Sequence, residues 1–353
     1  MKTNILLLWD RIGDYHAARF YALERKAGNR KVFIADIGGA DALYKWKNPL
    51  QESTGYRSLS EKPVEEADSH KRLQQFKKLV REQNIGIVGI AGYGRADYRK
   101  MMHWCRMNGI RIILFAESWY PGRMDFLKGI YLRCLCQGFL VSGLRAQDHF
   151  VQRLGIQQDK IRIPYSVVDN AHFERADPDF SLKKILCLAR FSPEKNLDKL
   201  LQAFGESGIA ARGWTLELVG GGPLKQVLEK QAPEGVIFRE WLAYDHLPEL
   251  YQSASFFILP SRFEPWGLVV NEAMASGLPV LVSEECGCRP DLVPQDEFCF
   301  SAGDVNRMAI TLKDMASFDA GELRRLGAAN RKRIASFSPE IWADSFLELA
   351  KGR

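Results

Sequence analysis

Ser261-Arg-Phe-Glu264-Pro-Trp-Gly267-Leu-Val-Val-Asn-Glu272-Ala-Met-Ala-Ser-Gly277-Leu-Pro279-Val280 is the stretch that decides the reading of this 353-residue chain. The apolar run Phe256–Leu259 before it ends at Pro260, as a buried strand does when it leaves a sheet. A loop follows, then a helix over Leu268–Ala275 that begins at Gly267 and stops at Gly277, a glycine where a left-handed cap belongs. Free N–H groups at the start of such a helix face the carboxyl end of a parallel sheet, where open α/β sheets bind ligands. Glu264 stands just before the helix, and Glu272 lies about 7.5 Å further along its axis. Two acceptor carboxylates at that separation suit the hydroxyl pairs of one elongated ligand, such as a sugar joined to a ribose.

Working outward, Leu188-Ala-Arg190-Phe-Ser-Pro-Glu-Lys195-Asn-Leu197 ends another strand in an arginine and sets a lysine at the mouth of the next helix. A fork of donors and a compact charge fit two adjacent phosphates. Next, Leu218-Val-Gly220-Gly221-Gly222-Pro223 closes a strand in glycines, which let backbone come close to a ligand.

These segments together resemble retaining glycosyltransferase family 4, glycosyl transferases group 1, whose E-x7-E signature Glu264 and Glu272 match; the likeness runs over most of 160–300. The resemblance implies the GT-B fold, an α/β architecture of two Rossmann-like domains facing across a cleft. It implies that Glu264 contacts the donor sugar and Glu272 the ribose. It places Trp266, Gly267 and Leu268 beside sugar and diphosphate, and Gly220, Gly221, Gly222 and Pro223 beside the nucleotide. Arg190 and Lys195 become the diphosphate-binding pair that stabilises the leaving group. No metal and no cofactor are then expected. Glu240, in Val236-Ile-Phe-Arg-Glu-Trp241, stands where relatives usually carry glycine.

The rest of the chain alternates short apolar runs with helical segments, the pattern of parallel sheets with crossover helices. In the first half the strands are expected at Asn4–Leu8, Lys31–Ala35, Ile85–Ile90, Arg111–Phe115 and Gly138–Val141. The pattern restarts at Lys184–Ala189. The resemblance makes residues 1–165 the acceptor-binding domain, joined by a returning C-terminal helix over 338–353, and residues 166–337 the donor-binding domain. Between the two alternating stretches, Asp169–Asp179 reads as a polar linker. Asn48–Ser69 is polar and expected to be a loop.

In the first half, Trp9-Asp-Arg-Ile-Gly13-Asp14-Tyr15-His16 resembles the family's glycine loop, with the usual glycine pair reduced to Gly13 on the donor side. Asp14, Tyr15 and His16, with Tyr93, Arg95, Ser118 and Trp119, are the candidate acceptor contacts. Glu117 falls where relatives often carry a histidine near the reacting centre and is a candidate catalytic residue.

Apolar residues make up 46% and charged residues 26%, a globular composition, and no run of eighteen uncharged apolar residues occurs. Seven cysteines without zinc-site spacing argue against a disulfide framework or a metal site, and the expected location is cytoplasmic. The net charge of +6 is uneven: residues 1–165 hold 28 Lys and Arg against 16 Asp and Glu, the remainder 21 against 27. A basic first domain suits an anionic partner, a membrane surface, a lipid phosphate or a nucleic acid. The resemblance implies a membrane-facing patch at Lys128–Cys136, because relatives with lipid-linked acceptors dock through their first lobes. No nucleic-acid motif accompanies that charge. The expected partners are a nucleotide-sugar donor and a glycan or lipid-linked saccharide acceptor, in surface polysaccharide or lipopolysaccharide synthesis. The competing readings are an epimerase or hydrolase of the same fold, and a non-catalytic protein binding nucleic acid or nucleotide sugar.

Overall fold

The computed structural model describes residues 3–38, 48–64, 66 and 68–351. Two compact units emerge, one of Met1–Val167 with Pro339–Arg353, the other of Val168–Ser338.

The first unit is built on seven parallel strands: β1 (Asn4–Trp9), β2 (Val32–Asp36), β3 (Tyr56–Ser58), β4 (Ile85–Ala91), β5 (Arg111–Ala116), β6 (Gly138–Val141) and β7 (Ile161–Arg162). Their order is β3-β2-β1-β4-β5-β6-β7. Every residue of β2 and β6 is buried, as expected of strands covered by helices on both faces. The crossover helices are α1 (Asp14–Lys26), α2 (Ser69–Glu82), α3 (Ala96–Met107), α4 (Asp125–Leu135) and α5 (Leu144–Asp148), the last continuing as a π turn over His149–Arg153.

The second unit repeats the plan with β8 (Lys184–Leu188), β9 (Thr215–Val219), β10 (Val236–Arg239), β11 (Phe256–Leu259), β12 (Val280–Ser283) and β13 (Cys299–Phe300), ordered β10-β9-β8-β11-β12-β13. Its helices are α6 (Asn170–Phe173), α7 (Leu197–Ser207), α8 (Lys225–Gln231), α9 (Leu247–Gln252), α10 (Leu268–Ala275), α11 (Arg289–Leu292), α12 (Val305–Met315) and α13 (Ala320–Ile334).

The final helix α14 (Pro339–Lys351) belongs to the first unit. Trp342 and Phe346 are fully buried, with ring centroids 5.7 and 6.1 Å from that of Phe115. The Ser345 hydroxyl donates to Ile163 O at 3.1 Å.

Two expectations need correction. Asp169–Asp179 is not a free linker. Asp169 caps α6 by accepting from His172 N, Phe173 is fully buried, and the Asn170 amide donates to Ile334 O at 3.1 Å. One anchoring phenylalanine has no periodicity to betray it. Within Asn48–Ser69, residues 56–58 form the edge strand β3 rather than loop, paired parallel to β2. The Asp36 carboxylate holds this strand by accepting from Tyr56 Oη at 2.6 Å and Ser58 Oγ at 2.7 Å.

In both sheets the strand order reverses beside the first strand of the unit, between β1 and β4 and between β8 and β11. Each reversal parts the loops at the carboxyl ends of the strands and leaves a crevice there.

Candidate active site

In the second unit that crevice is flanked by the two loops singled out in the sequence. Arg190 follows β8, and Ser261–Gly267 follows β11. Asn196 locks the two together. It sits at a left-handed backbone position, φ 59°, which asparagine tolerates, and it is fully buried. Its amide donates to Pro260 O at 3.0 Å and Ala302 O at 2.8 Å, and its carbonyl accepts from Arg262 Nε. Glu194 O also accepts from Arg262 N at 2.8 Å.

This scaffold brings Lys195 to Glu264. Lys195 Nζ lies 2.5 Å from Glu264 Oε2, with the side chains 20% and 11% exposed. Ser261 Oγ approaches the same oxygen at 3.5 Å. Glu264 also bridges to Cys286: its carbonyl accepts from Gly287 N at 2.9 Å, and Trp266 O accepts from Cys288 N at 3.1 Å. Burial, with Glu264 nearby, pushes the Cys286 thiol up to about 12, so it serves as packing and not as a nucleophile. Arg190 is exposed.

Gly267 takes φ 104° at the start of α10, a conformation that lets the chain turn from the Glu264 loop into the helix. The first-turn amides of α10, those of Leu268 and Val269 among them, have no partner within the helix by its geometry. Trp266 is buried instead of facing the crevice. Its indole N–H donates to Asn271 Oδ1 at 2.8 Å and its ring stacks on Phe337 at 5.5 Å between centroids.

Glu272 lies inside α10 and is fully buried, and its Oε2 accepts from Tyr251 Oη at 2.7 Å. Tyr251 escaped the sequence reading, because it lies on α9 and no local pattern links it to Glu272. The glycine turn packs against the loop after β8. Phe191 N donates to Gly221 O at 2.9 Å, and Leu224 N, just past Pro223, donates to Phe191 O at 3.0 Å. At Gly220, φ 147°, a Cβ would sit 2.0 Å from Ala189 O, so no side chain fits. Glu240 turns away to pair with Lys225 on α8. Trp241, 52% exposed, stands near Gly221.

In the first unit an open cavity of about 430 Å³ lies at the strand reversal, lined by Trp9, Asp10, Arg11, His16, Ala91, Gly94, Arg95 and Tyr98. It gathers His16 and Arg95 from the expected set and adds Asp10 and Tyr98, which were not singled out. Asp10 accepts from Arg95 Nε at 2.6 Å and from the Tyr98 hydroxyl. Gly13 caps α1, and its N–H donates to His16 Nδ1 at 3.0 Å, leaving Nε2 as the protonated nitrogen. Burial, and secondarily Arg19, lower the His16 pKa to about 3, so the ring is neutral. Asp14 and Tyr15 open α1, both partly exposed.

Glu117, Ser118 and Trp119 follow β5, and Glu117 and Trp119 make other partnerships. Glu117 Oε1 accepts from Ser166 Oγ at 2.9 Å, and the Arg145 guanidinium lies over the Trp119 ring at 4.7 Å. Ser118 is exposed. Tyr93 packs partly buried against the core, and burial raises its pKa. Among the described residues, no group of three His, Cys, Asp or Glu side chains is placed to hold a metal ion.

Residues 182–317, within this second unit, match the family model of glycosyl transferases group 1. The second unit is similar to a glycosyl transferases group 1 domain. A sulfoquinovosyl transferase of Arabidopsis thaliana is 36% identical over 137 residues, 37% of this chain and 26% of that protein. A GDP-mannose-dependent alpha-(1-6)-phosphatidylinositol monomannoside mannosyltransferase of Mycobacterium tuberculosis is 29% identical over 166 residues, 43% of each chain. The matches span 26% to 61% of the length of the first three curated relatives. A solved glycosyltransferase of Rickettsia africae superposes with a TM-score of 0.77, covering 99% of this chain and 98% of that one at 15% identity. That likeness shows the fold, two Rossmann-like domains of the GT-B type.

Proposed function

We propose that the chain is a retaining glycosyltransferase that moves a sugar from a nucleoside-diphosphate-sugar donor to a glycan or lipid-linked saccharide. The observation that carries this is the Lys195–Glu264 pair, set beside the N-terminus of α10 at the strand reversal of a unit similar to a glycosyl transferases group 1 domain. A carboxylate there accepts sugar hydroxyls, while Lys195, the exposed Arg190 and the α10 amides offer positive charge to a diphosphate. Glu272, held by Tyr251, takes the ribose hydroxyls. In a retaining path the departing diphosphate gains charge as the anomeric carbon gives it up, and these donors stabilise it without a divalent metal.

The acceptor sits against the first unit, where Asp10, His16 and Arg95 present an acceptor, a neutral N–H donor and a cation in one cavity. Glu117 and Ser118 at the end of β5 complete that edge. Relatives whose names carry a phosphatidylinositol acceptor support a lipid-linked saccharide in surface polysaccharide or lipopolysaccharide synthesis. No described helix is long and apolar enough to cross a membrane. The chain works in the cytoplasm, and its basic first domain touches the anionic membrane peripherally.

The experiment is incubation with nucleoside-diphosphate sugars, with and without saccharide acceptors, reading product by mass and anomeric configuration by NMR. Acceptor-dependent product with the donor's configuration supports the proposal. Turnover of donor to an epimer or free sugar that acceptors never divert would replace it with the epimerase or hydrolase reading.

A further inference from the structure

Arg19, on α1, carries a charge into the core of the first unit. It is 2% exposed, and arginine is almost never this buried unless an anion pairs with it. Its guanidinium lies over the Tyr165 ring at 4.7 Å, and its Nη2 donates to Val167 O at 3.2 Å. Its Nε has no hydrogen-bond partner among the described residues. Methionine or leucine would fill this space without the cost of taking a charge out of water. Packing alone does not call for the cation.

The candidate acceptor site surrounds it. Tyr15 and His16 stand four and three positions earlier on α1, on the same face of the helix. Trp9 lines the cavity, its ring 4.9 Å from that of His16, and its Nε1 donates to Tyr165 Oη at 2.9 Å. Ser166, between Tyr165 and Val167, is fully buried. Its hydroxyl lies 2.9 Å from Ser142 Oγ and donates to Glu117 Oε1 at 2.9 Å. Arg19 thus grips the residues on either side of the one whose hydroxyl aims Glu117.

The charges nearby say what the cation answers. Burial pulls the Arg19 pKa down, while Tyr165, Glu117 and Tyr15 oppose it. Burial pushes the Tyr165 phenol up to about 12, and tyrosine hydroxyls such as that of Tyr15 are neutral at pH 7. Of these three, only Glu117 supplies a negative charge. Asp10, next to Trp9, is taken by Arg95 and Tyr98. His16 is neutral, and Arg145, the second cation of this edge, lies over Trp119.

We propose that Arg19 is a positioning residue of the acceptor edge, a buried counter-charge that keeps Glu117 a carboxylate and holds Tyr165–Val167 so that Ser166 aims it. A carboxylate only accepts hydrogen bonds, whereas its protonated form also donates one, so the ionised form suits the hydroxyl of an incoming saccharide. Protonating Glu117 would leave Arg19 buried beside a neutral partner, which disfavours the acid form. The inference rests on the place given to Glu117 in the proposed function and adds what sets its charge.

The test uses the full chain with 13C-labelled glutamate carboxyl groups, the signal missing from Glu117→Gln reporting Glu117. Arg19→Gln keeps a donor for Val167 O but removes the charge, and it should raise the Glu117 titration midpoint by about one pH unit. Arg19→Lys keeps the charge and should hold the midpoint near its wild-type value. Should Arg19→Gln not fold, Arg19→Met, which fills the space against the Tyr165 ring, carries the same expectation. In turnover, the acid limb of kcat/KM for the acceptor should move up in pH with the midpoint, and donor KM should stay unchanged. A purely structural strut would leave both the midpoint and the limb in place. That result overturns the inference, as does a midpoint that Arg19→Lys moves equally far, or a limb that does not follow the midpoint. The titration needs no substrate, so the two claims separate. If the midpoint moves as expected but no saccharide is ever glycosylated, only the transferase reading fails.

Discussion

Replacing Lys195 by methionine removes one partner of a close pair and leaves Glu264 8% exposed, in place among Ser261 and Cys286. Orphaning a charge in a fully buried pair costs roughly 3–5 kcal/mol, and the partial exposure of these two side chains lets water relieve part of it, leaving about 2–3 kcal/mol. Adding Glu264→Gln removes the stranded charge as well, and about 1–2 kcal/mol should return. The assay is native-state amide exchange, which reads opening free energies of the second unit without assuming that both units unfold together. Nucleotide-sugar affinity, followed in parallel, should fall in Lys195→Met and stay low in the double variant, because the cation that meets the diphosphate is not restored. If the stability effects of the two substitutions simply add, within about 0.5 kcal/mol, the pair is not an interacting unit and the account of the site is wrong.

Three further outcomes are expected. Glu264→Gln should lower mainly kcat, because contacts to the reacting sugar strengthen towards the transition state, whereas Glu272→Gln should raise mainly donor KM; steady-state kinetics with varied donor would show swapped roles as the reverse pattern. Gly220→Ala puts a methyl group 2.0 Å from Ala189 O, and the displaced turn should lower both thermal stability and nucleotide affinity, a result that unchanged melting and binding would contradict. His16, whose pKa falls from 6.5 to about 3 on folding, contributes fully above pH 6.5 and loses that contribution as pH falls and only the unfolded chain takes up the proton. Between pH 7 and pH 5 the wild type should therefore lose about 2 kcal/mol more stability than His16→Gln in urea unfolding; equal losses would remove the neutral imidazole from the account.

Strands that are short, apolar and bounded by turn residues could be read from sequence to the residue: Gly138–Val141 and Phe256–Leu259 match β6 and β11. Helix α10 was legible too, because Gly267 and Gly277 punctuate it. What stayed hidden depends on contacts distant in sequence. Strand β3 has no apolar alternation and is held by the Asp36 carboxylate twenty residues upstream of Tyr56. Helix α13, capped by Asp319 and rich in arginine, has buried residues only at Leu323, Gly327 and Ile334, too sparse a stripe to announce itself. The same limit applies at the site. The Glu264 and Glu272 spacing is local and visible, but Tyr251 on Glu272, Asn196 tying two loops and Asp10 joining Arg95 to Tyr98 are products of the fold.

The central claim is that the second unit binds a nucleoside-diphosphate sugar through Arg190, Lys195 and Glu264. Isothermal titration with UDP-, GDP- and ADP-linked sugars, each with and without chelator, tests it most directly. The account predicts that one of these donors binds equally well in chelator, and that Arg190→Ala weakens it roughly ten- to hundredfold, as loss of hydrogen bonds to a charged group should. Binding that requires a divalent metal, or that Arg190→Ala leaves unchanged, would contradict it.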